Sequence, residues 1–486
     1  MDRICAPLRN KVMSAAEAAA LVGKNAMVGC SGFTLIGDPK VVPGEIAKLG
    51  KAEGMTLLTG ASVADGLDGA LCRAGLVEHR YPYQSNSSLR SAINAGEVAY
   101  ADMHLSHMPR FINRGGQSVD FAIIECVAVT EEGIVPAAAG GASDCFVRNA
   151  KHVILEVNEA LPLGLCGMHD IYAVDGGPIP IRSVSDRIGT TFIPVVWDRV
   201  AAVVLTNDPG KYPVFKAPDE DSQAIANHIV EFLKGEVAAG RQPASLSPLQ
   251  SGVGSVANAV MAGLSSSGFT GLRMYTEVIQ DAAFNLIEQG IMTAASTTAV
   301  SLSQEAAKRF YENIEQFRDK IVIRPQEIAN NPEAARRLNL IAMNTPIECD
   351  IYGNVNSTHV MGTKMMNGIG GSGDFARNAS LTIFATNSLA KDGNISCIVP
   401  MCSHVDHTEH DVQVIVTEQG LADLRWKSPR ERAEVIIENC AHPSYRPMLR
   451  AYFEEACKLG GHTPHVLNKA LSWHSRFLET GTMREE

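Results

Sequence analysis

The chain lacks the features that mark secreted, membrane-spanning or nucleic-acid-binding proteins. Its 486 residues include 53 acidic and 42 basic side chains, and the net charge of −11 does not favour a nucleic-acid or anionic-membrane partner. No run approaches the roughly 18 apolar residues of a membrane helix. The eleven cysteines include no C-x-x-C pair, and the N-terminus lacks a charged-then-apolar signal pattern. We therefore expect a cytoplasmic protein with reduced cysteines that binds neither nucleic acid nor a membrane.

What the chain does contain is an alternation of strand-like apolar runs and helical patterns, which predicts an α/β fold. Each half shows a glycine-rich loop next to an apolar helix, followed by several strands. A polar segment with proline and glycine, residues 207–221, separates the halves. We predict two tandem open α/β domains of similar plan, residues 1–215 and 216–486.

The local signals place individual elements. Capping boxes at Ser14 and Ser428 predict helix starts, with Gly23 ending the first helix. A helix is also predicted at residues 256–264, and a glycine- and proline-containing loop at residues 31–39. Apolar runs predict strands at residues 26–30, 55–58, 121–126, 152–157, 200–205, 320–323, 338–343, 381–385, 395–399 and 412–416.

Glu277 occupies a predicted junction between a strand and a helix in the second half. The strand is residues 272–276, and the helix buries residues 279, 283, 286 and 287 before Gly290. Such a junction projects from the carboxyl edge of a sheet, where open α/β folds bind ligands. A helix N-terminus also favours an ionised carboxylate. Glu277 is a candidate nucleophile or base, although a glutamate in a first helical turn is more often a solvated partner of the helix dipole.

Two glycine-rich loops could present backbone N–H groups to a ligand. Residues 251–255 precede a helix, where an anion site and a plain tight turn are both open. Residues 367–375 hold four glycines in six positions, which favours close backbone approach over a purely structural role. The pattern G-x-G-x-x-G at Gly368, Gly370 and Gly373 is not interpreted as a dinucleotide site, because no apolar strand precedes it and residues 374–375 open no apolar helix.

Other catalytic motifs are weak. The histidines His404, His407 and His410 resemble a metal tract, but their spacing converges only on a helix. No G-x-S-x-G elbow and no Walker A lysine loop is present. One carboxylate with two backbone-donor loops suits covalent catalysis on an acyl group, with backbone donors stabilising the tetrahedral oxyanion.

The sequence resembles the class I CoA-transferases of the acetyl-CoA hydrolase/transferase family over essentially its whole length. The matching segments include Tyr275-Thr276-Glu277-Val278 and Asp350-Ile351-Tyr352-Gly353-Asn354. The others are residues 31–34, 58–62, 248–254, 367–375, 404–407 and 417–420.

The resemblance implies that Glu277 is the nucleophile that becomes a glutamyl-CoA thioester. It further implies that the amides of Val253 and Gly371 form the oxyanion hole and that Asn330 lies near the glutamate. The implied CoA-binding residues are Gly252, Val253, Gly254, Ser255, Val256, Ile347, Asn367, Gly371 and Lys391. Coenzyme A enters as a substrate, no metal is expected, and a homodimer is favoured.

We therefore expect CoA transfer between a short acyl-CoA (succinyl, acetyl or propionyl) and a small acid such as acetate, propionate or succinate. Hydrolysis of acetyl-CoA by the same glutamate is the alternative, since water could intercept the thioester. Two other classes stay open: a nicotinamide-dependent oxidoreductase or nucleotide-binding protein using residues 368–373, and a metallohydrolase using the three histidines.

Overall fold

The protein is described here by a computed structural model that covers residues 3–115 and 118–485. Up to residue 214 the strands are β1 (Met27–Thr34), β2 (Met55–Ser62), β3 (Val77–Tyr81), β4 (Ala99–Tyr100), β5 (Val119–Val129), β6 (Ile134–Pro136), β7 (Ala150–Asn158) and β8 (Val200–Thr206). The helices are α1 (Ala15–Ala19), α2 (Val42–Leu49), α3 (Ala70–Arg73), α4 (Ser87–Asn94), α5 (His107–Asn113) and α6 (Ser143–Asn149). Short helical turns lie at Ala6–Lys11, Asp65–Gly69, Leu163–Leu165 and Trp197–Arg199.

Residues 215–338 form further short strands and helices. The strands are β9 (Leu249–Ser251), β10 (Leu272–Tyr275), β11 (Val278–Ile279), β12 (Met292–Thr297), β13 (Ala299–Val300) and β14 (Ile321–Ile323). The helices are α7 (Glu220–Ala238), α8 (Ser255–Ser265), α9 (Asp281–Glu288), α10 (Gln304–Glu312), α11 (Ile314–Phe317), α12 (Gln326–Ala329) and α13 (Pro332–Arg337).

The remainder of the described chain ends in three consecutive helices. Its strands are β15 (Ile341–Asn344), β16 (Glu348–Asp350), β17 (Val355–Asn356), β18 (His359–Val360), β19 (Lys364–Met365), β20 (Leu381–Ala385), β21 (Leu389–Ala390), β22 (Ile395–Ser396), β23 (Ile398–Val399), β24 (Val414–Thr417) and β25 (Gly420–Asp423). Its helices are α14 (Ser372–Ala376), α15 (Pro429–Asn439), α16 (Arg446–Leu459) and α17 (Ser472–Thr480).

The chain divides into two compact units. Unit 1 comprises Met1–Val214, Met274–Ile287 and Thr293–Leu338, and unit 2 comprises Phe215–Arg273, Glu288–Met292 and Asn339–Glu486. The segment with Glu277 therefore belongs to unit 1, although it follows residue 215 in the sequence.

Unit 1 is built on a parallel sheet with strand order β4-β3-β2-β1-β5-β7-β8, and β6 pairs antiparallel with β5. Successive residues of its central strands enter two different cores. Ile123 and Ile154 pack with residues of α1 to α4, whereas Ile124 and Leu155 pack with residues of α5 and α6. Because strand side chains alternate between faces, the sheet is covered by helices on both sides, as is usual for a parallel sheet.

Unit 2 contains a second mostly parallel arrangement. Strands β9, β15, β20 and β24 pair in parallel in that order, and β25 returns antiparallel to β24. Its core combines buried residues of β16, β23 and β24 with apolar residues of α15, α16 and α17. The predicted α/β class with two domains is confirmed, and the structure adds that the main sheets are mostly parallel.

Several predicted boundaries are wrong in an informative way. Residues 31–34 continue β1 rather than forming a loop, because Phe33 and Thr34 pair with Ala61 and Ser62 of β2. The predicted strand at residues 395–399 is two short strands, β22 and β23, in different small sheets. The first helix ends at Ala19, before the predicted stop at Gly23. Within the described ranges, no helix is long and apolar enough to cross a membrane.

Candidate active site

Glu277 lies between two strands and not in a helix. Strand β10 ends at Tyr275, and β11 (Val278–Ile279) pairs in parallel with β13 (Ala299–Val300). The prediction that Ile279 belongs to a helix is wrong, because its backbone is engaged in this pairing with a segment about twenty residues away. Helix α9 begins only at Asp281. Dipole effects fade within one turn, so the dipole of α9 does not account for an ionised Glu277.

The backbone of Glu277 is held by hydrogen bonds from a turn at residues 297–299. Its carbonyl oxygen accepts hydrogen bonds from the amides of Thr298 (3.0 Å) and Ala299 (3.2 Å) and from the hydroxyl of Thr297 (2.9 Å). The same turn is tied to the connection between β6 and α6, since the amide of Gly141 donates to Thr298 Oγ1 (3.0 Å). The position of Glu277 is thus set by tertiary contacts inside unit 1.

The carboxylate of Glu277 accepts a hydrogen bond from Asn330. Asn330 Nδ2 lies 2.7 Å from Glu277 Oε2, and Asn330 is fully buried at the C-terminal end of α12. A hydrogen bond to an ionised acceptor is about twice as strong as a neutral one. Of the residues that the sequence analysis singled out, these two are the pair that unit 1 brings together.

Tyr83 is a neighbour that the sequence analysis missed. Burial raises the pKa of its phenol, and the negative charge of Glu277 raises it further. Tyr83 also packs against an apolar cluster of Phe33, Ala61, Leu105, Ala139, Val278 and Ala299, which includes the residue after Glu277. No sequence motif marks Tyr83, because it reaches this position through the fold of unit 1.

The loop that contains Val253 connects β9 to α8 in unit 2. Strand β9 ends at Ser251, and the amide of Gly252 donates to Met343 O (2.8 Å). Gly254 has φ +116°, a conformation that suits glycine, and precedes Ser255, the first residue of α8. Val253 is about half exposed (48%), which is unusual for an apolar side chain and leaves its surroundings accessible to a ligand.

The second glycine-rich loop leads into the short helix α14. Asn367 Nδ2 donates to Ser357 O (3.1 Å), and buried Gly371 immediately precedes the first residue of α14. Residues 374–375 lie inside α14, but they do not open an apolar helix, as expected, because α14 begins at Ser372 and is only five residues long. The strand before the loop, β19, is a two-residue antiparallel partner of β18. The strand-loop-helix unit of a dinucleotide fingerprint is therefore not formed.

The other predicted CoA-binding positions also lie in unit 2. The amide of Ile347 donates to Asn356 O (2.7 Å). Lys391 is exposed, with φ +50°, in the connection between β21 and β22. Buried Val256 packs in α8. The backbone positions of Ile347 and Lys391 are thus set by short strands and their connections, and that of Val256 by α8.

The histidine tract forms a turn. His407 Nε2 contacts Ser372 Oγ at 3.0 Å, and His404 Nε2 lies 3.3 Å from Asp406 Oδ1. Across residues 3–115 and 118–485, no group of three or more His, Cys, Asp or Glu side chains is arranged to hold a metal ion.

Comparison with protein families and curated proteins identifies relatives over nearly the full length. Residues 2–202 match the acetyl-CoA hydrolase/transferase N-terminal domain, and residues 307–453 match the C-terminal domain. A succinyl-CoA:acetate CoA-transferase of Clostridium kluyveri is 54% identical, covering 98% of this chain and 91% of the relative. A propanoyl-CoA:succinate CoA transferase of Escherichia coli is 44% identical, covering 97% and 98%. An acetyl-CoA hydrolase of Schizosaccharomyces pombe is 43% identical, covering 94% and 93%.

Solved structures agree at the level of the fold. RipA from Yersinia pestis superposes with a TM-score of 0.73 at 21% identity, covering 94% of this chain and 99% of that one. A 4-hydroxybutyrate CoA-transferase from Porphyromonas gingivalis gives 0.65 at 20% identity, covering 92% and 98%. The expectation of a CoA-transferase-type enzyme is confirmed by the sequence relatives. The chain belongs to the acetyl-CoA hydrolase/transferase family.

Proposed function

We propose that the protein transfers CoA between a short-chain acyl-CoA and a small carboxylic acid, with Glu277 as the covalent nucleophile. The observation that carries the proposal is the 2.7 Å hydrogen bond from buried Asn330 to Glu277 Oε2. It holds one carboxylate in a defined orientation at a junction of strands. The relatives named succinyl-CoA:acetate and propanoyl-CoA:succinate transferases support acetate, propionate and succinate as the class of acid.

The first half-reaction moves CoA onto the protein. An oxygen of Glu277 attacks the thioester carbonyl carbon, the C–S bond breaks, and CoA leaves as a thiolate with the bonding electron pair. The product is a mixed anhydride of the acyl group and Glu277. The thiolate then attacks the Glu277 carbonyl carbon, the anhydride C–O bond breaks, and the acyl group leaves as a carboxylate. Glu277 is now a glutamyl-CoA thioester.

The second half-reaction repeats these steps in reverse with another acid. Its carboxylate attacks the glutamyl thioester and releases the CoA thiolate, and the thiolate then attacks the acyl side of the new anhydride. The new acyl-CoA forms and Glu277 is regenerated. No proton, water or ATP is consumed, because the thioester energy passes through covalent intermediates.

Each attack creates a negative oxygen that needs stabilisation. We propose that the amides of Val253 and Gly371 supply it, since preorganised backbone donors are an effective way to stabilise such an oxyanion. For CoA we propose contacts with residues 252–256, Ile347, Asn367, Gly371 and Lys391. The half-exposed side chain of Val253 and the exposed Lys391 support a ligand site on these loops.

We propose residues 1–215 and 216–486 as the two domains along the sequence, supported by the sheet of β1 to β8, which uses strands of the first range alone. The compact units depart from these bounds, because Met274–Ile287 and Thr293–Leu338 belong to unit 1. We propose a cytoplasmic homodimer without a metal cofactor. The eleven cysteines, all free, support a reducing compartment.

The experiment that tests the nucleophile is a trapping reaction. The protein is incubated with acyl-CoA and no acceptor acid, reduced with borohydride, digested and analysed by mass spectrometry. Reduction of a glutamyl thioester gives an alcohol, and we expect this change on the peptide with Glu277 and its absence in Glu277→Gln. Modification at another carboxylate, or none in active wild-type protein, contradicts the proposal.

Hydrolysis of acetyl-CoA is the second candidate, favoured by the relative named acetyl-CoA hydrolase at 43% identity. Both reactions share the glutamyl thioester and differ in whether water or a carboxylate attacks it. Acyl-CoA is incubated with and without acetate or succinate, and new acyl-CoA is compared with free CoA. We expect thiol release to be slow without an acceptor, whereas release at the full rate without acid favours the hydrolase.

A further inference from the structure

The turn at residues 404–407 is paired with strand β17 in unit 2. The amides of Asp406 and His407 donate to Val355 O at 2.9 and 3.0 Å, and the amide of Val355 donates to His407 O at 2.8 Å. These bonds fix the backbone of the turn. The side chains of Asp406 and His407 are consequently held in defined directions.

Asp406 supports the start of the glycine-rich loop at residues 367–373. Its carboxylate accepts from the amide of Ser357 (2.6 Å) and the hydroxyl of Thr358 (2.9 Å). Ser357 O in turn accepts from Asn367 Nδ2 (3.1 Å), and the amide of Met366 donates to Thr358 O (2.8 Å). The first residue of the loop is thus linked to Asp406 through one intermediate segment.

His407 supports the other end of the same loop. It is 3% exposed, its ring packs 4.9 Å from that of Phe384, and its Nε2 lies 3.0 Å from Ser372 Oγ. Ser372 Oγ also donates to Ile369 O at 3.0 Å. A serine hydroxyl carries a single proton. With that proton given to Ile369, Nε2 of His407 carries a hydrogen and donates it to Ser372.

We propose that Asp406 and His407 are positioning residues that orient the backbone amide of Gly371. This inference rests on the proposed function, in which that amide stabilises an oxyanion. Ser372 Oγ is bonded both to Ile369 O and to His407 Nε2. These bonds restrain residues 369–372, and with them the peptide unit between Gly370 and Gly371 that carries the donor N–H. Four glycines in six residues give this loop large conformational freedom, and the two anchors remove it before substrate binds. The histidine tract thereby acquires a role as a hydrogen-bonding scaffold.

The kinetic test compares two substitutions of one side chain. His407→Phe keeps a ring against Phe384 and removes Nε2, whereas His407→Gln places an amide nitrogen near the position of Nε2. We expect His407→Phe to lower kcat by about 10- to 100-fold with KM for acyl-CoA changed by less than about twofold, because loss of an oxyanion donor acts on the transition state. His407→Gln should recover most of the loss. His410→Phe, on an exposed residue of the same segment, should match wild type.

A second measurement does not depend on activity. Hydrogen–deuterium exchange of the peptide that covers residues 367–375 is followed in substrate-free protein. We expect faster exchange in His407→Phe and Ser372→Ala than in wild type or His410→Phe. Unchanged kcat and exchange in His407→Phe overturn the positioning role, as does a kcat loss that His407→Gln fails to relieve. If wild type shows no CoA transfer but His407→Phe still speeds hydrogen–deuterium exchange in residues 367–375, the proposed function is wrong, whereas the positioning of this loop by His407 is supported.

Discussion

Asn330 Nδ2 donates a 2.7 Å hydrogen bond to Oε2 of Glu277, and Asn330 Oδ1 has no hydrogen-bond partner among the described residues. The NH2 group of the buried Asn330 side chain is therefore the group that contacts the glutamate. An ionised carboxylate only accepts hydrogen bonds, so this arrangement matches a Glu277 that carries negative charge. Asn330 thus fixes the rotamer of Glu277 and stabilises the form that can act as a nucleophile.

Replacement of Asn330 should weaken catalysis, and a negatively charged replacement should weaken it more than a neutral one. Asn330→Ala removes a hydrogen bond to a charged group, worth about 1.5–3 kcal/mol, and we expect kcat/KM to fall about 10- to 100-fold. Asn330→Asp places a second carboxylate against Glu277, so the loss should be larger despite the similar shape. Steady-state kinetics measure both, with Asn331→Ser, which retains an oxygen to cap α13, as the control. Equal activity of Asn330→Asp and wild type contradicts this role.

Features set by neighbouring residues could be predicted from the sequence. The capping boxes at Ser14 and Ser428 and the strand Leu381–Ala385 are observed as predicted. In each case the determining groups lie within a few positions along the chain, as a side chain that binds a nearby amide or as a compact apolar run. The α/β class follows from the same local alternation.

Features set by distant residues could not be predicted. The apolar periodicity around Ile279 predicts a helix, but in the structure Ile279 pairs with Val300 of β13. No residue close to Glu277 in the sequence indicates this pairing. The sequence pattern does not predict the 19-residue helix α7, because the polar residues before it indicate a domain boundary, although Asp219 caps the helix. Only the family resemblance points to Asn330, because its contact with Glu277 spans 53 positions of the sequence.

Gly60 should be intolerant of any side chain. A Cβ atom there would lie 2.8 Å from both Gln326 Oε1 and Gly32 O, inside any real contact distance. Because one of these atoms is backbone, we expect Gly60→Ala to destabilise the protein by about 1–3 kcal/mol through overpacking. Gly66→Ala is the matched control, since a Cβ at Gly66 meets nothing within 4 Å. Urea denaturation measures the difference, and equal stability of the two variants argues against close packing at Gly60.

Lys40 should be essential for stability because it is a buried cation among carboxylates. Its Nζ lies 2.9 Å from Asp38 Oδ1 and 3.5 Å from Glu125 Oε1, and all three side chains are nearly inaccessible. Removing one partner of a buried ion pair costs about 3–5 kcal/mol, so Lys40→Met should lower the free energy of unfolding by that amount. Lys48→Met, in an exposed pair with Glu45, should change it by less than about 1 kcal/mol. Similar effects of the two substitutions in denaturant titrations contradict the prediction.

Glu327, three residues before Asn330, should make stability fall with rising pH. Burial, together with the charge of Asp144, raises the pKa of its carboxyl from 4.5 to about 7. The neutral form is favoured in the folded state, so this contribution is complete below pH 4.5. It is lost as the pH rises towards 7, because the unfolded chain releases its proton first.

Glu327→Gln keeps the shape and the acceptor for Asn113 Nδ2, which lies 3.1 Å from Oε2, and cannot ionise. Between pH 4.5 and pH 8, we expect the free energy of unfolding of this variant to rise by about 2–3 kcal/mol relative to that of wild type, on the basis of about 1.4 kcal/mol per pKa unit. Denaturation at a series of pH values measures this rise. Glu131→Gln, on an exposed residue, should show the same dependence of unfolding free energy on pH as wild type. A stability difference between Glu327→Gln and wild type that is independent of pH shows that Glu327 ionises equally in the folded and unfolded chains.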